Sequence, residues 1–310
     1  MIPDVVGIPS ELESVATVMG DNPFKLGNRF RSMWEADSPM QQEWSNFEGT
    51  SQGIRDLSRG LSARASAMRH LPDIEAEMKS ESREMGQLFL ETLVLLWNRL
   101  LLRTCLKVAD SLEMMFLSMN AANAYCCAIA ARSILEHVAF LQYFADDIPW
   151  RESQVITHEA MVKFTKRLFN LTQGSTFDWD KMLSGNVSLR SLVASKNWKR
   201  PFDERIPSIA TLVEALDKKM ATRRGSGVEG QFQFLYAAMS DVVHPSWGGE
   251  FIYAPHIYRH IKLERAFDEN FRRIVTLFCL PTFGVAHHLG KLVAFMMGNE
   301  PRMLTIGDND

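Results

Sequence analysis

Cys126–Phe144 reads CCAIAARSILEHVAFLQYF, and its reading decides the fold. The run is apolar almost all round and too long for a strand, so it predicts a helix. Ala131, Ile134, Leu135, Val138 and Leu141 cover one broad arc. Set into the same helix are Arg132, Ser133, Glu136 and His137. Core helices rarely carry charges unless those charges are paired or functional. At about 100° per residue, Arg132 and Glu136 fall about 40° apart, on one stripe with Tyr125 and Tyr143.

The flanking sequence extends this helical pattern. Met85–Met119 repeats Leu, Phe, Met and Trp at helical spacing, with Glu91, Arg99, Lys107, Asp110 and Glu113 between them, which predicts one long helix or two joined end to end. Asn120-Ala-Ala-Asn123 is the expected turn, with Asn123 as a cap. Pro149 is expected to stop the central helix near Asp146. Further helices are expected over 152–171, 207–224 with Ser208 as cap, 229–243, and 259–297 with a bend near Pro281. β-branched alternation is scarce, so the fold class is all-α: a helical bundle over 81–298, an N-terminal helical extension over 1–80, an irregular basic insertion over about 173–207, and a tail over 299–310.

Composition narrows the function. The 310 residues include 46% hydrophobic and 23% charged, as in a soluble globular protein, and the net charge of −3 offers no global field for nucleic acid. The exception is local, because residues 160–224 hold 13 Lys and Arg against 6 Asp and Glu, a net +7. This region is either a solvated face or a surface for phosphate or an acidic partner, with Lys199, Arg200, Lys218, Lys219, Arg223 and Arg224 as the candidate RNA or phosphate contacts. Four cysteines without a C-x-x-C pair support no zinc or redox motif and read as buried, reduced thiols. No secretory leader is expected, and Ile274–Gly290 reads as a kinked core or interface helix rather than a membrane span. A cytoplasmic location without membrane contact is expected.

Several motif matches lack the context that their chemistry needs. Gly225–Gly230 spells G-x-G-x-x-G, but no strand precedes it, so it reads as a linker. His244-Pro-Ser246-Trp-Gly248 is not a nucleophile elbow. His256 and His260 have i, i+4 spacing without H-E-x-x-H, so no metal site and no cofactor are expected.

Chemistry concentrates on two helices. The central helix carries Arg132, Ser133 and Glu136, and the later one carries Tyr236, Ser240 and His244 on one stripe, with Asp241 beside it. If the stripes face each other, Arg132, Glu136, Ser240 and His244 gather in one buried, low-dielectric pocket. There a guanidinium can hold a phosphate and an imidazole can move a proton. The alternative is a structural network that fixes helix packing.

Arg132-Ser-Ile-Leu-Glu-His137 resembles the R-x4-H pattern of the HEPN superfamily. The chain over about 85–290 also resembles uncharacterised helical proteins that carry R-S-x-x-E and then L-S-x-x-x-H-P-S, matched here by Met239-Ser240-Asp-Val-Val-His244-Pro-Ser246 with Met in place of Leu. The HEPN resemblance implies a four-helix bundle, metal-independent RNA cleavage at a dimer cleft, and a place in toxin action or antiviral defence. It also implies a phosphate-stabilising Arg132, with Ser133 as the polar residue after it, and an acid–base His137. In a regular helix, however, Arg132 and His137 diverge by about 140°, which makes His244 the competing histidine. The expected partners are RNA, a second copy of the chain and a possible partner protein. The rival expectation is a non-catalytic interaction or regulatory module.

Overall fold

The computed structural model describes residues 49–61, 86–121, 123–151, 157–172, 207–224, 230–244, 271 and 273–301. These residues are mostly helical, with no strand among them. In chain order, after a helical stretch over 49–61, come α1 (Gly86–Asn120), α2 (Ala124–Asp146), α3 (His158–Thr172), α4 (Ile209–Arg224), α5 (Gln231–Val243), a π-helical turn (Val275–Cys279) and α6 (Leu280–Gly298). The expected boundary near residue 80, the 173–207 insertion apart from residue 207, and the tail from residue 302 lie outside the described residues.

Local chemistry sets the helix ends. The run expected as one helix or two joined end to end is a single helix of 35 residues, Gly86–Asn120. The side chain of Asn123 caps α2 by accepting from the amide of Cys126 at 3.0 Å. α2 stops at Asp146, three residues before Pro149. α3 was expected from residue 152, but its described start is His158. There the hydroxyl of Thr157 accepts from the amide of Ala160 at 3.3 Å. Ser208 caps α4 by accepting from Thr211 N at 3.3 Å.

α5 begins two residues later than its hydrophobic pattern suggested, because Gly230 takes a φ of +84°, which only glycine adopts readily. A glycine offers no capping side chain. Asp217, on α4 and 2% exposed, supplies the missing acceptor by bonding the amide of Phe232 at 3.2 Å. The bend expected at Pro281 takes the form of a π-helical turn just before it, where the amide of Leu280 donates to the carbonyl of Val275. Proline cannot donate and clashes with the carbonyl four residues back, so an extra residue in the preceding turn relieves that conflict. The Thr282 hydroxyl adds bonds to the carbonyls of Phe278, at 2.9 Å, and Cys279, at 2.8 Å.

The chain forms two compact units. The first takes α1 from Lys107, α2 up to Leu135, α5 from Phe234, the π turn and α6 up to His287. Its core joins Leu112, Phe116, Ala131, Met239 and Phe283, all nearly inaccessible, with the Phe116 and Phe283 rings 5.6 Å apart. Cys127 and Cys279 share this core. A hydrogen bond between their thiols and full burial hold Cys279 well above the ordinary thiol range.

The second unit takes α1 up to Leu106, α2 from Glu136, α3, α4, the start of α5 and α6 from His288. An aromatic cluster fills it. The Trp97 ring lies 5.7 Å from Trp150 and 6.1 Å from Phe164, and Phe144 stands edge-on to Phe164 at 5.7 Å. Trp150 Nε1 donates to the carbonyl of Asn299 at 3.0 Å, and Asn98 donates to Glu300 at 2.8 Å, so the end of α6 is tied to the cluster and to α1. By length and composition two segments could cross a bilayer, Ala124–Asp146 and Val275–Gly298. About half of each is buried inside the fold, at 50% and 56%.

Candidate functional site

The first unit brings the two predicted stripes together. Arg132 leaves α2 half-buried and reaches α5. Its Nη1 lies 3.3 Å from Nε2 of His244, and its Nη2 donates to the hydroxyl of Tyr236 at 3.3 Å. The guanidinium carbon also sits 5.2 Å from the centre of the Tyr236 ring, within cation–π range. A guanidinium only donates. The imidazole therefore accepts at Nε2 in this arrangement and carries its proton on Nδ1.

The spacing of α5 explains the geometry. Tyr236, Ser240 and His244 recur every four residues and so share one stripe. The backbone amide of His244 still bonds the carbonyl of Ser240 at 2.8 Å, which continues the helical pattern one residue past Val243 and aims the imidazole along it. Nearby, the Tyr125 hydroxyl donates to the carbonyl of Val243 at 3.4 Å. Tyr125 is two turns before Arg132 on the same stripe of α2.

Three details differ from the sequence expectation. The cluster is not a buried pocket. Arg132 and Tyr236 are half-buried and His244 is exposed, so water and salt screen its charges more than a core would. Ser240 does not face Arg132 with its proton, because its hydroxyl donates to the carbonyl of Tyr236 at 2.7 Å, the usual local bond of a helical serine. Ser133 likewise bonds Ser111 at 2.8 Å and joins α1 to α2.

Glu136 and His137, both half-buried, belong to the second unit. Glu136 stays one turn along α2 from Arg132, and His137 leaves the helix in another direction. Asp241 is exposed.

Of the six phosphate candidates, Lys218 pairs with Glu214 at 2.7 Å and Lys219 pairs with Asp146. Lys199 and Arg200 lie outside the described residues, as do the side chains of Arg223 and Arg224. His256 and His260 lie outside them too. Cys105, Cys127 and Cys279 are buried as expected, but Cys126 is only half-buried. Among the described residues no group of three His, Cys, Asp or Glu side chains gathers as metal ligands.

Sequence reasoning passed over a second polar network, in the second unit. Gln142, 2% exposed, donates to Asp146 at 2.9 Å, which leaves its oxygen to accept from Nε2 of His288 at 2.8 Å. Beside it Arg167 lies over the ring of Tyr143, donates to its hydroxyl at 2.6 Å and pairs with Asp147. The available signal was an amide within a run of apolar residues, as unusual there as the charges that drew attention.

The Arg132 contacts suit anion capture. Its contacts to His244 and Tyr236 are long for hydrogen bonds, whereas a phosphate oxygen accepts charge-assisted bonds about twice as strong. No family model, curated protein or solved structure matches the chain.

Proposed function

We propose that this chain is a HEPN-like RNA-cleaving or RNA-binding protein with Arg–His chemistry, acting in defence as a homodimer. The observation that carries the reading is the 3.3 Å approach of the Arg132 guanidinium to Nε2 of His244, with Tyr236 on the second nitrogen. A phosphodiester at Arg132 takes over the guanidinium and frees Nε2 of His244 to accept a proton. The ribose 2′-hydroxyl supplies that proton as its oxygen attacks phosphorus. The bond from phosphorus to the 5′-oxygen breaks, and the leaving oxygen takes a proton from the imidazolium. The products are a 2′,3′-cyclic phosphate and a 5′-hydroxyl. Arg132 offsets the charge that gathers on the phosphoryl oxygens.

The test is incubation of labelled single-stranded RNA with purified protein and a chelator. Cleavage to cyclic-phosphate ends, lost in folded Arg132→Ala and His244→Ala but kept in His137→Ala, supports the reading. Loss in His137→Ala alone assigns the acid–base role to the other histidine. A folded protein that neither binds nor cleaves RNA refutes it.

A second reading, a non-catalytic interaction module, draws support from hydrogen bonds that tie the helices of the first unit together. Ser111 bonds Ser133, and Tyr125 bonds Val243. On that reading, Arg132→Ala lowers the melting temperature and changes nothing else.

A further inference from the structure

We propose that Tyr125 is a base-stacking platform, so that the strand taken at Arg132 is single-stranded. The inference rests on the RNA reading above and names the form of RNA that the site accepts. Tyr125 is 37% exposed, one of four large hydrophobic side chains so exposed among the described residues, and it is the aromatic one on the Arg132 stripe. Seven residues separate it from Arg132, two turns of α2. This places it about 10.5 Å along the axis and about 20° around it.

Its hydroxyl reaches the carbonyl of Val243 at 3.4 Å, one residue before His244. The tip of the ring is thereby held against the end of α5 that carries the imidazole. With its polar tip against α5 and over a third of its surface in solvent, the residue leaves apolar area that a base can cover. Bases stack on aromatic faces with little regard to sequence, but only when they are not already paired in a duplex.

The probe is a single-stranded 2′-O-methyl oligonucleotide, which lacks the attacking hydroxyl, beside an abasic chain of the same length and a duplex. Affinity is measured for the full chain and for variants whose circular dichroism matches it. Tyr125→Ala is expected to bind the single strand about five- to 150-fold more weakly. Tyr125→Phe, which keeps the ring and gives up the bond to Val243, is expected within about twofold of the unmodified protein. The abasic chain and the duplex should bind Tyr125→Ala and the unmodified protein alike. If Tyr125→Ala does not fold, Tyr125→Leu replaces it, with the same loss expected.

Equal affinity of Tyr125→Ala for the single strand overturns the inference. So does an equal loss on the abasic chain, or a Phe variant as weak as Ala. If Arg132→Ala weakens binding while Tyr125→Ala does not, stacking fails and the RNA reading stands. If the unmodified protein binds none of the probes, both fall.

Discussion

Replacing Asp217 by alanine is expected to destabilise the fold by about 2–3 kcal/mol. Asp217 is 2% exposed, and its carboxyl accepts the Phe232 amide at 3.2 Å, where Gly230 leaves the start of α5 without a cap of its own. Truncation leaves a buried amide unpaired, a loss of about 1–3 kcal/mol, and removes a capping interaction of about 1 kcal/mol. The two overlap, because one hydrogen bond supplies both, so the sum is not the full range. Asp217→Asn keeps an acceptor oxygen of the same shape and is expected to lose under about 1 kcal/mol. Urea unfolding followed by circular dichroism measures the difference. With a slope of about 3 kcal/mol per molar urea, the alanine variant's midpoint falls by about 0.7–1 M and the asparagine variant's by less than half of that. Equal midpoints for the two variants, or an alanine variant within about 0.2 M of the unmodified protein, would refute the capping argument.

Two further predictions concern the cores. Burial pushes the Cys105 thiol from an ordinary 9.0 up to about 12. Above about pH 9 the unfolded chain sheds this proton while the folded chain keeps it. Stability therefore falls as pH rises from about 9 to about 12, by up to about 1.4 kcal/mol per pH unit. Urea midpoints at pH 8 and 10.5 should drop less for Cys105→Ala than for the unmodified protein, and equal drops would contradict the shift. Trp97 is fully buried, and its Nε1 has no hydrogen-bond partner among the described residues. Trp97→Ala is expected to cost about 3–5 kcal/mol and Trp97→Phe less than half of that, since no hydrogen bond is lost, as thermal unfolding of both variants can establish.

What the sequence disclosed depends on how far each interaction reaches along the chain. Asn123 and Ser208 were legible as caps because capping involves amides only three residues away. The stripes bearing Arg132 and His244 were legible because helical periodicity is local, and their facing one another followed as an expectation. The role of Asp217 was not legible, since it bonds an amide 15 residues away across a glycine linker. Ser240 was assigned to the site because its position fits the stripe. Periodicity says where a side chain points but not that a helical hydroxyl has a carbonyl of its own in reach. The π turn before Pro281 escaped because a proline signals a disturbance without specifying its form. Gln142 and His288 escaped because an amide and an imidazole in apolar helices draw less notice than a charged pair, although burial makes them as dependent on partners.

The central claim is that Arg132 releases Tyr236 and His244 to hold a phosphate. Its most direct test is the affinity of a single-stranded 2′-O-methyl RNA for the unmodified protein and for folded Arg132→Ala. Losing charge-assisted bonds predicts binding about ten- to 100-fold weaker in the variant, with thermal stability little changed because water can take the place of the guanidinium at this half-buried site. Equal affinity in the two proteins would contradict the account.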